Sequence, residues 1–303
     1  MNAYPADRPV AAHERYRTLD APVPGGDLHV GIWDPAAGDT AGTLLVIPGI
    51  TGTHLSWQWL TQAMPAWRLI APDLRGRGLS NRVPGPYGLT RHADDLVAVL
   101  EAAGVNEPIT VVGHSMGGYV ALVLAHREPA RVGRLFLIDG GLPVQLPDGV
   151  RPEDALIAVL GPTAKRLQTI FASQAEVDAF WQAHPGLQGQ WGPELAAYAA
   201  YDLIGEPPNL RPSTSYEAMA GDSTDIQLGD DLPRAMTELN HPAVFLRAER
   251  DMRNEPGGLF TTEWAAQWAA QLPRLSVQDV PDTNHFSIVM AHDGAAQLAR
   301  IIG

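Results

Sequence analysis

Cysteine is absent from the 303 residues. Disulfides, thiolate metal sites and cysteine nucleophiles are thereby excluded together. Basic charge is scarce, since 21 Lys and Arg stand against 34 Asp and Glu and leave a net charge of −13. No Lys/Arg cluster offsets this, whereas nucleic acid or an anionic membrane would need a basic face. Long apolar runs are also missing, and none approaches the roughly 20 residues that span a bilayer. The opening Met1-Asn2-Ala3-Tyr4-Pro5-Ala6-Asp7-Arg8 lacks the apolar stretch of a secretory signal. The expectation is a soluble, cytoplasmic protein with no nucleic-acid or membrane partner; homo-oligomerisation stays open. Gly76-Arg77-Gly78-Leu79-Ser80 lacks the third glycine of a dinucleotide fingerprint. With no Walker motif and no His-Glu-x-x-His either, no nucleotide, metal or other cofactor is expected.

Apolar residues are plentiful, at 45%, enough for a large core. Residues 1–15 read as a loose arm, and Tyr16 to Asp34 as a hairpin around Pro24-Gly25-Gly26-Asp27. Short apolar runs follow at Thr43–Ile47, Trp67–Ala71, Ile109–Val112 and Leu135–Ile138, each typical of a strand buried on both faces. Helical patterns lie between them, from His54 to Met64, from Thr90 with Asp94, Asp95 and Glu101 on the polar side, and from Tyr119 to Arg127. The rhythm breaks at Pro143 and resumes with a strand at Ala243–Arg247, a helix at Thr261–Leu272, a strand at Leu275–Val280 and a helix at Gly294–Ile301. This alternation predicts an α/β fold: a mostly parallel central sheet with helices on both faces. Residues 1–142 and 234–303 would form the core. Residues 143–233, with helical pieces near 153–183 and 193–204, would form a helical cap.

One turn carries chemistry. Gly113-His114-Ser115-Met116-Gly117 follows a buried strand and precedes an Ala-rich helix, the context that makes G-x-S-x-G a nucleophile elbow. The glycines are needed because side chains there would collide as strand and helix converge. A serine nucleophile needs a base. His285 stands after the last strand and before the last helix, where the third triad member falls. His292 reads as a solvated helix-end residue, His126 as a helix-surface residue and His114 as packing beside the turn. Two acids compete, Asp139 just past the strand after the elbow and Asp251 just past the strand before the last; both stand at the C-terminal edge of the sheet. The oxyanion donors would be the N–H groups of Met116 and of Ile50, in the loop Pro48-Gly49-Ile50-Thr51-Gly52.

Together these residues resemble the α/β-hydrolase superfamily over nearly the whole chain. Pro72-Asp73-Leu74-Arg75-Gly76-Arg77-Gly78-Leu79-Ser80 is similar to the Asp-x-x-Gly-x-Gly-x-Ser loop of its esterase-like members, while Pro48-Gly49 departs from their usual His-Gly. The resemblance implies a Ser-His-Asp triad without a cofactor. Serine at 115 sets aside the dehalogenases and epoxide hydrolases of this fold, which use aspartate there. Superfamily members most often place the acid at the position of Asp251. The chain also resembles the zearalenone-type lactonases, whose acid follows the strand after the elbow, and this favours Asp139 with Asp251 as the alternative. The expected reaction is hydrolysis of a hydrophobic ester or lactone through an acyl-enzyme on Ser115. A thioesterase or acyltransferase, a C–C bond hydrolase and a non-catalytic ligand receptor stay open. Gly49, Thr51, His54, Trp181, Trp191, Tyr201 and Phe286 are expected at the substrate, with Tyr198 and Met219 adding to an apolar wall; eight tryptophans suit a hydrophobic substrate.

Overall fold

Strand β1 (Tyr16–Val23) turns back on β2 (Gly26–Trp33) as an antiparallel hairpin. Strands β3 (Gly42–Ile47), β4 (Trp67–Pro72), β5 (Ile109–His114) and β6 (Val132–Ile138) follow. The short β7 (Leu203–Ile204) and β8 (Arg211–Pro212) pair only with each other, and β9 (Ala243–Arg250) and β10 (Leu275–Asn284) complete the set. The computed structural model describes residues 14–36, 38, 40–145, 163 and 165–303. Its main sheet has eight strands in the order β1-β2-β4-β3-β5-β6-β9-β10, parallel from β4 through β10. In β3, Leu44 and Val46 join one apolar core and Leu45 and Ile47 the other, and all four are fully buried. That period-2 alternation with both faces apolar is what a central parallel strand requires. The chain leaves β3 for β4 on one side and returns to β5 on the other. Ligands of open α/β sheets bind at the carboxyl ends of strands at such a switch point.

The helices are α1 (Gln58–Ala63), α2 (Leu89–Ala102), α3 (Met116–Arg127), α4 (Gln174–Gln182), α5 (Pro193–Tyr201), α6 (Tyr216–Leu228), α7 (Asp231–Thr237), α8 (Thr262–Gln271), α9 (Ser287–Met290) and α10 (His292–Ile302). Helices α4 to α7 lie in the segment inserted between β6 and β9. The expected arm at 1–15 lies outside the described residues up to 13, as do 153–162 and 164 of the expected helix at 153–183. Helix α6 escapes a periodicity search because its buried face is mixed, with Asp222 and Ser223 beside Ala218 and Met219. Asp95, expected on the polar side of α2, is instead buried and takes two hydrogen bonds from Arg75, at 2.6 and 2.8 Å. The boundary expected at 233 falls inside α7, whose first turn tolerates Pro233 because that position needs no backbone donor. Among the described residues no helix is long and apolar enough to cross a membrane.

Candidate active site

Strand β5 ends at His114 and α3 begins at Met116, which leaves Ser115 alone between them at φ 53° and ψ −121°. A side-chain-bearing residue rarely holds a positive φ, so the turn is strained and fixed by what surrounds it. A Cβ on Gly117 would stand 2.1 Å from the carbonyl oxygen of Ile47, so only glycine lets α3 start against the end of β3. A Cβ on Gly49 would meet Ser115 Cβ at 3.3 Å, which puts the loop after β3 directly against the elbow.

His285 Nε2 lies 3.1 Å from Ser115 Oγ, and its Nδ1 lies 2.7 Å from Asp139 Oδ2. A carboxylate only accepts, so Nδ1 carries the proton and Nε2 is left to accept from the serine hydroxyl. Asp139 is fully buried, and its second oxygen accepts from the Ala248 N–H at 3.2 Å. The loop carrying His285 is tied down on both sides. Asn284 Oδ1 accepts from the N–H groups of Phe286 and Ser287, both at 2.9 Å. His114 Nε2–H donates to the His285 carbonyl at 2.8 Å. Burial, and then the neighbouring His285, push His114 down to about 3, which keeps it neutral.

The Gly49 carbonyl accepts from the Gly52 N–H at 2.9 Å. In a trans peptide this turns the Ile50 N–H the opposite way, out of the tight turn. Met116, as the first residue of α3, has no intrahelical acceptor for its own N–H. The loop after β3 and the first residue of α3 thus both adjoin Ser115. Among the described residues no group of three or more His, Asp or Glu is arranged to hold a metal ion.

The other expected site residues divide. Asp251 does not reach His285. Its Oδ1 accepts from the N–H groups of Arg253 and Glu255, both at 2.8 Å, and closes its own turn. His54 is fully buried with both ring nitrogens engaged, Nδ1 with Asp73 at 2.9 Å and Nε2 with the Tyr16 hydroxyl at 2.8 Å. The Tyr201 hydroxyl donates to Asp73 at 2.5 Å, so it serves the same buried carboxylate. Asp73 is held down to about 2 despite its burial, by the charges and hydrogen bonds of His54 and then by His29 and Tyr201. Phe286 packs edge-on to His285, ring centroids 5.3 Å apart, and meets His184 at 4.6 Å. His184 stacks on Trp181, which meets Tyr198 edge-on at 5.5 Å, so a line of rings leads from His285 into the insertion. Trp191 is half-buried against the same core, Thr51 is half-buried in the Gly49–Gly52 turn, and Met219 is fully buried in the opposite core. Sequence reasoning passed over Arg77, which donates from Nε to the Ile50 carbonyl at 2.7 Å. The one available signal was its place inside the Asp73–Ser80 motif.

Residues 42–289 match the family described as alpha/beta hydrolase fold. The chain belongs to that family. Among curated relatives of this α/β hydrolase, Lipase LipV of Mycobacterium tuberculosis is 33% identical over 158 residues, covering 50% of this chain and 58% of the lipase. A putative carbamate hydrolase, RutD, of Caulobacter segnis is 36% identical over 100 residues, 32% of this chain and 37% of that protein. The matches therefore span less than two thirds of these relatives. Among solved structures, E-2-(acetamidomethylene)succinate hydrolase superposes with a TM-score of 0.73 at 20% identity, over 95% of this chain and 97% of that one. The thioesterase domain from the curacin biosynthetic pathway gives 0.71 at 18% identity, over 95% and 99%. Both of these likenesses concern the fold. The lipase and carbamate hydrolase relatives support a hydrolase.

Proposed function

We propose that this α/β hydrolase is a serine hydrolase that cleaves a carboxylic ester, a lactone or another hydrophobic ester, through an acyl-enzyme on Ser115. One observation carries the reading: the hydrogen-bonded chain from Ser115 Oγ through His285 to the buried Asp139. His285 takes the serine proton as the hydroxyl attacks the carbonyl, and Asp139 holds the imidazole in its tautomer and stabilises the imidazolium. The N–H groups of Ile50 and Met116 receive the oxyanion, each worth about 3 kcal/mol in such sites. His285 then protonates the leaving alcohol, and water resolves the ester on Ser115. In a lactone the alcohol stays tethered to the acyl group. Residues 143–233 act as a cap, and the rings of Phe286, His184, Trp181 and Tyr198 favour an apolar acyl or alcohol group. Asp251 keeps a local structural role in this reading.

The test is labelling with a fluorophosphonate probe. Folded protein is expected to react at Ser115 and the Ser115→Ala variant not at all; an unlabelled native protein would overturn the reading. A screen of lactones against linear esters of matched hydrophobicity then distinguishes the two substrate classes.

A further inference from the structure

Arg77 is a fully buried cation between parts of the chain that lie far apart in sequence. Its Nε–H donates to the Ile50 carbonyl at 2.7 Å, and its Nη2 lies 3.9 Å from Met116 Sδ. Its Nη1–H donates to the Arg75 carbonyl at 2.6 Å. Its Nη2–H also donates to Asp222 Oδ2 on the inserted helix α6. Asp222 is itself fully buried and takes further hydrogen bonds from His92 Nε2, at 2.9 Å, and the Gly88 N–H, at 2.8 Å. The guanidinium therefore touches both residues whose N–H groups are the proposed oxyanion donors, while its counter-ion comes from the insertion.

We propose that Arg77 is a positioning residue for the oxyanion hole and that Asp222 holds it, so that the inserted segment sets the geometry in which Ser115 reacts. The inference rests on the serine-hydrolase reading. Backbone donors stabilise a developing oxyanion only when they are fixed in place beforehand. The turn fixes the peptide before Ile50 through the Gly49–Gly52 bond, and Arg77 fixes the peptide after it. The task suits a planar fork, because three acceptors are met in fixed directions from three separate nitrogens; the three donors of an ammonium leave from a single atom and do not span them. The loop around Arg77 is fastened to the insertion on both sides as well. The Gly76 carbonyl accepts from the Ser215 N–H at 3.0 Å, and the Gly78 N–H donates to Ser213 Oγ at 2.9 Å.

The experiment compares the full-length protein with Arg77→Lys, Arg77→Met and Asp222→Asn, using a p-nitrophenyl ester as substrate and an arylboronic acid as tetrahedral analogue. In Arg77→Met, kcat is expected to fall about 10- to 100-fold with KM changed less than about threefold, and the boronate Ki to rise by the factor lost in kcat/KM. Arg77→Lys and Asp222→Asn are expected to follow the same split with about a 10-fold loss. A purely structural role would instead lower the active fraction and leave the boronate Ki of the folded remainder unchanged, and that outcome overturns the inference. Wild-type kcat and Ki in cooperatively melting Arg77→Lys and Asp222→Asn overturn it too, even where Arg77→Met does not fold. If wild-type protein is not labelled at Ser115 by the fluorophosphonate, the serine-hydrolase reading fails first and this inference falls with it.

Discussion

Asp139 and Asp251 follow neighbouring parallel strands, β6 and β9, in which Ile138 lies opposite Leu246. Their side chains end in different places because their backbones do. Asp139 adopts φ 45° directly after β6, while its N–H is held by the Leu246 carbonyl at 2.9 Å; the carboxylate meets His285 and the end of β9. The chain after β9 folds back, and Asp251 spends a carboxylate oxygen on Arg253 and Glu255. If Asp139 orients His285, Asp139→Asn lowers kcat on an activated ester by about 10³- to 10⁴-fold with folding intact, because the amide no longer stabilises the required tautomer. Asp251→Asn is expected to stay within about threefold of wild type, as a loop carboxylate away from the reacting atoms. Steady-state kinetics of the two variants, with melting curves as the control for folding, decide between them. The residue types at both positions were legible in the sequence. The residue pattern left the choice open, because periodicity carries no information on where a loop turns after its strand, and only the family resemblance favoured Asp139.

At the scale of elements, the strands and the flanking helices follow the apolar rhythm closely, since the apolar runs of β3, β5 and β6 are buried on both faces, as a parallel sheet covered by helices requires. The insertion is less legible because polar contacts as well as apolar ones hold it. Helix α2 begins after Gly88, which offers no capping side chain. Two carboxylates of α6 serve instead, Asp222 accepting from the Gly88 N–H and Asp225 from the Leu89 N–H at 2.6 Å. A helix N-terminus capped from another element is invisible to local sequence signals. Asp225→Ala is expected to destabilise the fold by about 1–2 kcal/mol, the range of a lost N-cap bond to a carboxylate. The check is urea unfolding at pH 7; an unchanged midpoint would remove Asp225 from this role. Asp95 carries the same lesson, since a carboxylate on the expected polar side of α2 is buried with Arg75 because the loop after β4 packs there.

Across the whole molecule, the buried His114 and the half-buried His184 link stability to pH. Burial holds His114 at about 3, and burial followed by the charge of Arg166 holds His184 at about 4, both below the ordinary 6.5. Between these values and 6.5 the unfolded chain binds more protons than the folded one, so stability rises with pH through that window and is lost as pH falls from 6.5 toward 4. Asp73, held to about 2 against an ordinary 3.8, adds a second loss below pH 3.8. Urea midpoints measured in steps from pH 7.5 to 4.5 are therefore expected to fall with acid. His114→Asn, which cannot titrate, should flatten the dependence; a slope unchanged in that variant would exclude His114 as a cause.

The sequence by itself determined the α/β rhythm, the elbow at Ser115, the position of His285 in the chain and the glycine-bearing loop after β3 that lies against the elbow. These are local matters: short continuous apolar runs, a Gly-x-Ser-x-Gly turn that only glycines allow, and chain order along a parallel sheet. Tertiary structure alone decided which aspartate meets His285, that His54 and Tyr201 are spent on Asp73, and that Arg77 joins the loop after β3 to the inserted helix. Those outcomes depend on where polar side chains from distant segments converge once the sheet has stacked its strands. A buried carboxylate or guanidinium must find partners wherever the fold supplies them, and neither composition nor spacing records which ones it finds.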